Sequence, residues 1–438
     1  MSDLLLLDAP AATPPPPLVA RTGLVRAEHK VIRDDTGIFH PLGLTFFWAL
    51  YGWKYERQRI LEHLAWLAPK RFDYLRILAE VDWVGRSIEP WAWPDYAEQL
   101  CGFVDAAYDH GLRCEVTIVG GCQFDQQTGA RRFVPTELAR QVASALVGRE
   151  QKIMHVECAN EWARLDKVGP RDLMDMTAVV RSLLPNLVSL SCPEADGYEQ
   201  AREATKAAGG SAYTIHPRRS DHDAYWSHVR QGYDFKDFPA ATWNNEPQGP
   251  QSSVDELSNP MQLACARLLG IMCGGAGYVL HVGQGVTGEA DPAHGRPQNM
   301  WEVPDIDAIM AAVRACDGLL PDGVENWKCV NNGRDDHPLP LHAHDGFWED
   351  SDDRAPAVNK NYAAVNGAAF VVMLTGVKSA GATGPVPAGT ARKACHVEAC
   401  DPVTLAIVAS ADLAAGQAWT LPGRGDSMAA YVVRGRYR

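Results

Sequence analysis

The sequence predicts an α/β protein: a (β/α)8 barrel followed by a smaller all-β unit. Three observations carry that expectation. From Pro41 onwards, short apolar or β-branched runs alternate eight times with helical patterns, the order that a parallel sheet wrapped in helices leaves in a chain. Several of those runs are apolar throughout, as strands buried on both faces must be. Beyond about residue 320 the helical period stops, and short alternating runs between Gly and Pro turns replace it.

Taken in order, residues 1–22 read as a disordered Pro/Ala arm, with Pro14 to Pro17 favouring extended polyproline geometry. Residues 24–32 and the run from Phe39, joined by Asp34-Asp35-Thr36-Gly37, predict a hairpin placed to plug the bottom of the barrel. The strand candidates are residues 42–49, 74–81, 114–119, 153–159, 187–191, 212–216, 241–244 and 278–282. Between them lie amphipathic helices: Ile60, Leu61, Leu64 and Leu67 form one apolar stripe, and Leu173, Met176, Val180 and Leu183 another. Residues 369–374, 395–398, 405–410, 418–421 and 429–433 are the strands expected of a small β-sandwich. The expected division is an arm at 1–22, a barrel with its hairpin at 23–319, and a β-domain at 320–438.

Composition narrows the function. At 438 residues and 46% hydrophobic content the chain can bury a large core and more than one average domain. A formal net charge of -13, with no Lys/Arg run to offset it, argues against nucleic acid or an anionic membrane as partner. The eleven cysteines lack CxxC spacing and a disulfide framework, so they read as buried thiols. Asp3 stands where a secretory signal carries positive charge, and the apolar run Leu4 to Leu7 is too short for one. The expectation is a protein with no signal peptide, which stays in the cytoplasm, is released by lysis, or travels in a virus particle. Its oligomeric state is not set by the sequence.

Two stretches stand out within the barrel pattern. Residues 153–162, IMHVECANEW, and 240–249, AATWNNEPQG, each run as a short strand into Asn-Glu: Asn160-Glu161 and Asn245-Glu246. These are the C-terminal ends of the fourth and seventh strands, where TIM barrels carry their catalytic groups. A facing pair of carboxylates is above all the apparatus of glycosidic bond cleavage. In a barrel roughly 15 Å across, with strands roughly 4.8 Å apart, two Glu side chains three strands apart bring their carboxyl groups to about 5 Å. That spacing is near the retaining value of about 5 to 5.5 Å and below the inverting range of about 6.5 to 9.5 Å.

With these motifs in view, residues 31 to about 320 resemble the large clan of retaining (β/α)8-barrel glycoside hydrolases, clan A, the cellulase, mannanase and β-galactosidase superfamily. In that clan an Asn-Glu pair closes strand four and a Glu closes strand seven. The resemblance implies Glu161 as acid/base, Glu246 as nucleophile and Asn160 as the partner of the sugar 2-hydroxyl. It further implies Arg76, in DYLRILAE, beside the nucleophile, and His216, in YTIHPRR, at the strand-six position. It implies an oligo- or polysaccharide substrate and no cofactor. The chain departs from the clan in strand three, CEVTIVGG, which lacks a frequent His, and in strand eight, where His281 replaces a common Trp.

Other residues are weighed individually. Trp48, Trp83 and Trp162 fall at strand tops or in the loop after strand two, where indoles can stack on sugar faces or anchor loops. Arg76 has an alternative structural partner in Glu80. His342 and His344 with Asp345 suggest a metal site, but they follow the eighth helix, and a surface loop is the better account. Besides a glycosidase, the sequence admits a non-catalytic carbohydrate-binding or virion structural protein on the same barrel.

Overall fold

The computed structural model describes residues 21–125, 127–162, 168–193, 199–216, 235, 238–252, 256–330, 341–342, 360–375, 386–423 and 430–438. The expected arm therefore falls almost wholly outside the described residues. The described residues open with an antiparallel sheet of three short strands, β1 (Arg26–Glu28), β2 (Val31–Asp34) and β3 (Gly37–Phe39). The predicted turn at residues 34–37 joins the last two, and a further turn at His29, with φ of 57°, adds the first.

Eight parallel strands then close on themselves: β4 (Leu42–Thr45), β5 (Tyr74–Leu78), β6 (Arg113–Val119), β7 (Ile153–Ala159), β8 (Val188–Pro193), β9 (Ala212–His216), β10 (Thr242–Asn244) and β11 (Gly277–Leu280). Pairing of β11 with β4 completes the ring. The spans of β7 and β9 coincide with the predicted ones. By contrast β4 ends four residues early, because Ala49 already opens a helix and Phe47 turns aside to donate its N–H to the Gly285 carbonyl.

The outer layer consists of α1 (Ala49–Tyr55), α2 (Arg57–Leu67), α3 (Tyr96–Asp109), α4 (Pro135–Leu146), α5 (Pro170–Leu183), α6 (Glu199–Ala208), α7 (Pro260–Met272), α8 (Gln284–Thr287) and α9 (Ile306–Ala315). Proline opens α4, α5 and α7, where its missing N–H costs nothing. Asn259 caps α7 by accepting from the N–H groups of Met261 and Gln262. This helix is buried on every side, which explains a sequence apolar all round. No described helix is long and apolar enough to cross a membrane.

The barrel is a filled core. Tyr74 and Trp243 point inward from β5 and β10, and Gly43 and Gly277 leave room for their rings; a Cβ at either glycine would collide with the neighbouring ring. Both rings belong to one buried cluster with Ile32 and Phe39 of the N-terminal sheet and Val25 just before it. The Asp34 carboxylate adds a 2.8 Å ion pair to Arg113 at the start of β6. The predicted plug is therefore in place at the bottom of the barrel, opposite the C-terminal strand ends.

After Leu320 the described residues include nine antiparallel strands: β12 (Lys328–Val330), β13 (Leu341–His342), β14 (Lys360–Asn366), β15 (Ala369–Thr375), β16 (Val386–Ala391), β17 (Cys395–Cys400), β18 (Ile407–Leu413), β19 (Ala418–Leu421) and β20 (Ala430–Tyr437). They make a six-stranded sheet, β12-β14-β15-β20-β17-β18, and a three-stranded sheet, β13-β16-β19. In β15 the alternation divides the side chains. Phe370, Val372 and Leu374 enter a small core of this unit, while Ala369, Val371 and Met373 join the main core shared with the barrel helices. Sequence reading missed β12, β13, β14 and β16. The last contains Pro387 and Gly389 at a register shift, residues that ordinarily mark a loop. Of the histidines considered for a metal, His342 lies in β13, and His344 with Asp345 falls outside the described residues.

Overpacking the barrel interior tests this arrangement. Gly277→Ala is expected to lower the free energy of urea unfolding by about 1 to 3 kcal/mol, because the Trp243 indole must shift to admit a methyl group. An unchanged midpoint would mean that the ring has space to move.

Candidate active site

The site is built from the ends of β5, β7, β9 and β10. At the end of β7 the Asn160 N–H still bonds the Val119 carbonyl at 2.8 Å, and the next residue, Glu161, takes a left-handed φ of 46°. A glutamate is rarely held there, and such strain is tolerated where the fold dictates a side chain's direction. After β10 the Asn245 N–H continues the ladder to the Ile215 carbonyl at 3.0 Å, so Glu246 also leaves from a fixed backbone.

The two glutamates face one another. One donor atom from each of Glu161, His216 and Glu246 lies within 4.8 Å of the other two. His216, at the end of β9, stands between the acids: its Nδ1 is 3.5 Å from Glu161 Oε1 and 3.6 Å from Glu246 Oε2. Its Nε2 lies 3.3 Å from Arg76 Nη2, which can only donate, so the ring proton of the neutral imidazole sits on Nδ1, toward the acids.

Arg76 underlies all of this. Fully buried on β5, it donates from Nη1 to Glu246 Oε1 at 2.7 Å, from Nη2 to Asn160 Oδ1 at 2.8 Å and to Glu157 Oε2 at 2.8 Å, and from Nε to Glu115 Oε1 at 3.0 Å. Burial opposes its charge, but the carboxylates of Glu157, Glu246 and Glu115 outweigh burial and hold the guanidinium above its usual pKa. For Glu157, burial is likewise outweighed, by Arg76, His216 and hydrogen bonds, so its carboxyl titrates below the usual range. The alternative Arg76–Glu80 pairing does not form; Glu80 instead accepts from the Gly121 N–H at 2.9 Å and lies 3.2 Å from Arg132.

The remaining expected residues divide. Asn160 and His216 lie at the acids, as described. Trp83 is half-buried and packs on Phe47, whose ring centroid is 4.9 Å from the Arg76 guanidinium. His281 is buried, its Nδ1 2.9 Å from Thr45 Oγ1, with its ring 6.1 Å from Phe47. Trp162 is buried beside Glu161, its indole N–H without a partner among the described residues. Trp48 corrects the expectation of an open stacking ring. It is fully buried, with Phe46 and His63 against its edges and the Arg59 and Arg86 guanidinium groups over its faces, so it is a packing residue.

Sequence reading gave no role to Glu115, Glu157 or Asn245, which surround the Arg76 guanidinium. A signal was present: each glutamate is an acid in the middle of a continuous, mainly apolar strand, RCEVTIV or IMHVECA, that is buried throughout.

No protein-family model and no curated protein matches the sequence. Solved structures do match. A glycoside hydrolase aligns over 94% of this chain and 97% of its own at 9% identity, TM-score 0.63. A glycoside hydrolase family 5 structure from Bacteroides vulgatus aligns over 95% and 93% at 11% identity, TM-score 0.63. A further Bacteroides vulgatus structure aligns over 95% and 82% at 13% identity, TM-score 0.61. At such identities the likeness establishes a shared fold: a TIM barrel with an all-β C-terminal unit, as in these hydrolases.

Glu80 supplies a test of the electrostatics at the barrel rim. Burial raises its carboxyl from 4.5 to about 7, partly offset by the Gly121 N–H and Arg132. Between those values the folded chain holds a proton that the unfolded chain has released. The contribution to stability is therefore full below pH 4.5 and is lost as pH rises to about 7. Glu80→Gln should flatten the decline of unfolding free energy over that interval relative to the parent; parallel curves would assign the proton elsewhere.

Proposed function

We propose that the protein is a retaining glycoside hydrolase that cleaves a β-linked oligo- or polysaccharide by double displacement, with Glu246 as nucleophile and Glu161 as acid/base. The observation that carries this reading is the separation of the two acids. One carboxylate oxygen of each lies within 4.8 Å of the other. That is close for a water to fit between the second carboxylate and the anomeric carbon, for which inverting enzymes space their carboxyl groups about 6.5 to 9.5 Å apart.

Each step follows from the surroundings. Arg76, 2.7 Å from Glu246, keeps that carboxylate ionised and aimed for attack on the anomeric carbon. The negative charge of Glu246 in turn favours the proton on Glu161, which gives it to the departing glycosidic oxygen. Once Glu246 is esterified its charge is gone, the proton affinity of Glu161 falls, and Glu161 can take a proton from the water that releases the sugar. The His216 Nδ1–H lies between the acids and can follow charge from one to the other. Arg76 occupies Asn160 Oδ1 and so turns the amide nitrogen away from itself, in the orientation that a donor to the 2-hydroxyl requires.

Variants test the roles separately. Glu246→Ala should reduce kcat on aryl β-glycosides by about three orders of magnitude or more, and added azide should restore turnover as the glycosyl azide of inverted configuration. Glu161→Ala should retain fast release of a good leaving group but stall afterwards, with azide giving the product of retained configuration. Near-normal turnover by Glu246→Ala would remove the assignment.

The convergence of Glu161, His216 and Glu246 favours one second reading, a metal-assisted hydrolase. Under the glycosidase reading, hydrolysis is unchanged after exhaustive treatment with EDTA. Activity lost to the chelator and restored by a divalent ion would favour the metal.

A further inference from the structure

The double displacement uses Glu161, Glu246 and the outer edge of Arg76, yet two more carboxylates lie directly beneath them. Glu115 on β6 and Glu157 on β7 are fully buried. Glu157 is held from several sides. Its Oε2 accepts from Arg76 Nη2 at 2.8 Å and Thr117 Oγ1 at 2.6 Å, and its Oε1 accepts from Thr214 Oγ1 at 2.5 Å and Asn245 Nδ2 at 3.2 Å. Glu115 Oε1 accepts from Arg76 Nε at 3.0 Å and Asn245 Nδ2 at 2.5 Å, and lies 3.4 Å from His155 Nε2. Its Oε2 has no hydrogen-bond partner among the described residues.

Burying two carboxylates where Glu246 alone could pair with the arginine is costly. The arrangement has two consequences for the acids above. A guanidinium is a rigid planar fork, so fixing Nε on Glu115 and Nη2 on Glu157 also fixes where Nη1 points, and it points at Glu246. One guanidinium also faces three carboxylates, Glu115, Glu157 and Glu246, so negative charge is left over beneath Glu161.

We propose that Glu115 and Glu157 are positioning residues. They lock the Arg76 guanidinium onto Glu246, and their uncompensated charge favours the proton that Glu161 carries into the reaction. Among the described residues, the titratable groups facing this cluster are Tyr74 and Arg76 on β5, Glu115 on β6, His155 and Glu157 on β7, Glu161 after it, His216 on β9 and Glu246 after β10. His281 on β11 is engaged with Thr45. The kinetic part of this inference rests on the glycosidase reading; the electrostatic part does not.

The experiment uses the full chain with Glu157→Gln, Glu115→Gln and Glu157→Asp. Two quantities are read: the pH profile of kcat/KM on an aryl β-glycoside, and the pH midpoint of the His216 ring signals in NMR, assigned with His216→Gln. Either neutral variant should lower the alkaline limb of the profile and the His216 midpoint by about one pH unit. Glu157→Gln should also lower kcat about tenfold or more with a smaller change in KM. Glu157→Asp, which restores the charge, should return the limb toward the parent. Lower thermal stability with both pH readouts unmoved would make the two acids scaffolding and overturn the proposal. If Glu157→Gln does not fold, Glu115→Gln leaves every bond of Glu157 in place and carries the same test. If the parent hydrolyses no glycoside, a shifted His216 midpoint supports the charged tier and removes only the glycosidase reading, whereas an unmoved midpoint overturns the tier.

Discussion

Arg76 is a cation with no access to solvent, and the upper half of the barrel is arranged around it. Its donors reach carboxylates on β6, on β7 and after β10, together with Asn160 at the top of β7. These bonds tie together strands that are not neighbours in the ring, which the backbone ladder cannot do. Such a cluster is weak as a source of net stability, because each ion must be stripped of water, but it is severe about geometry. Removing the cation would strand three buried acids, so a folded chain carries the cluster in its complete form. The site is therefore rigid because of electrostatic constraint as much as because of packing.

Below that cluster the barrel changes character. Tyr74 and Trp243 fill the interior against Val25, Ile32 and Phe39, and the N-terminal sheet seals the lower mouth. Polar atoms on this level, including Tyr74 Oη, both ring nitrogens of His155 and Trp243 Nε1, have no hydrogen-bond partner among the described residues. Polar groups in such a position are ordinarily served by buried water. The interior thus grades from an apolar plug through a polar middle to a charged upper tier.

How much of this could be read from the sequence depended on range. The strands β7 and β9 were placed to the residue because their apolar and β-branched runs end sharply. The facing of Glu161 and Glu246 was legible because barrel geometry converts strand number into position. Local pattern failed where a distant partner decides the outcome. Trp48 looked like a strand-top ring, yet Arg59 and Arg86 close over it from a helix and a loop. Val386–Ala391 reads as a loop from its proline and glycine, yet β13 and β19 flank it and make it a strand. Glu115 and Glu157 were passed over because a glutamate inside an apolar strand has meaning only once its inward partner, one strand or two away, is known.

The same surroundings distinguish the two acids in the way the proposed mechanism requires. Glu246 is the more enclosed, with 6% of its side chain exposed against 12% for Glu161, and its nearest charge is a guanidinium that cannot give up its proton. An environment of that kind suits a group that stays ionised until it forms a bond. Glu161 instead leaves a left-handed turn and meets His216, whose Nδ1 is 3.5 Å from its Oε1. A group that must hold a proton in one step and take one in the next needs surroundings whose charge can change, and in the proposed double displacement the esterification of Glu246, within 4.8 Å, would supply that change. The asymmetry follows from which glutamate lies over Arg76. Exchanging the two roles would require the guanidinium to turn from Glu246 toward Glu161, and its bonds to Glu115 and Glu157 hold it in place.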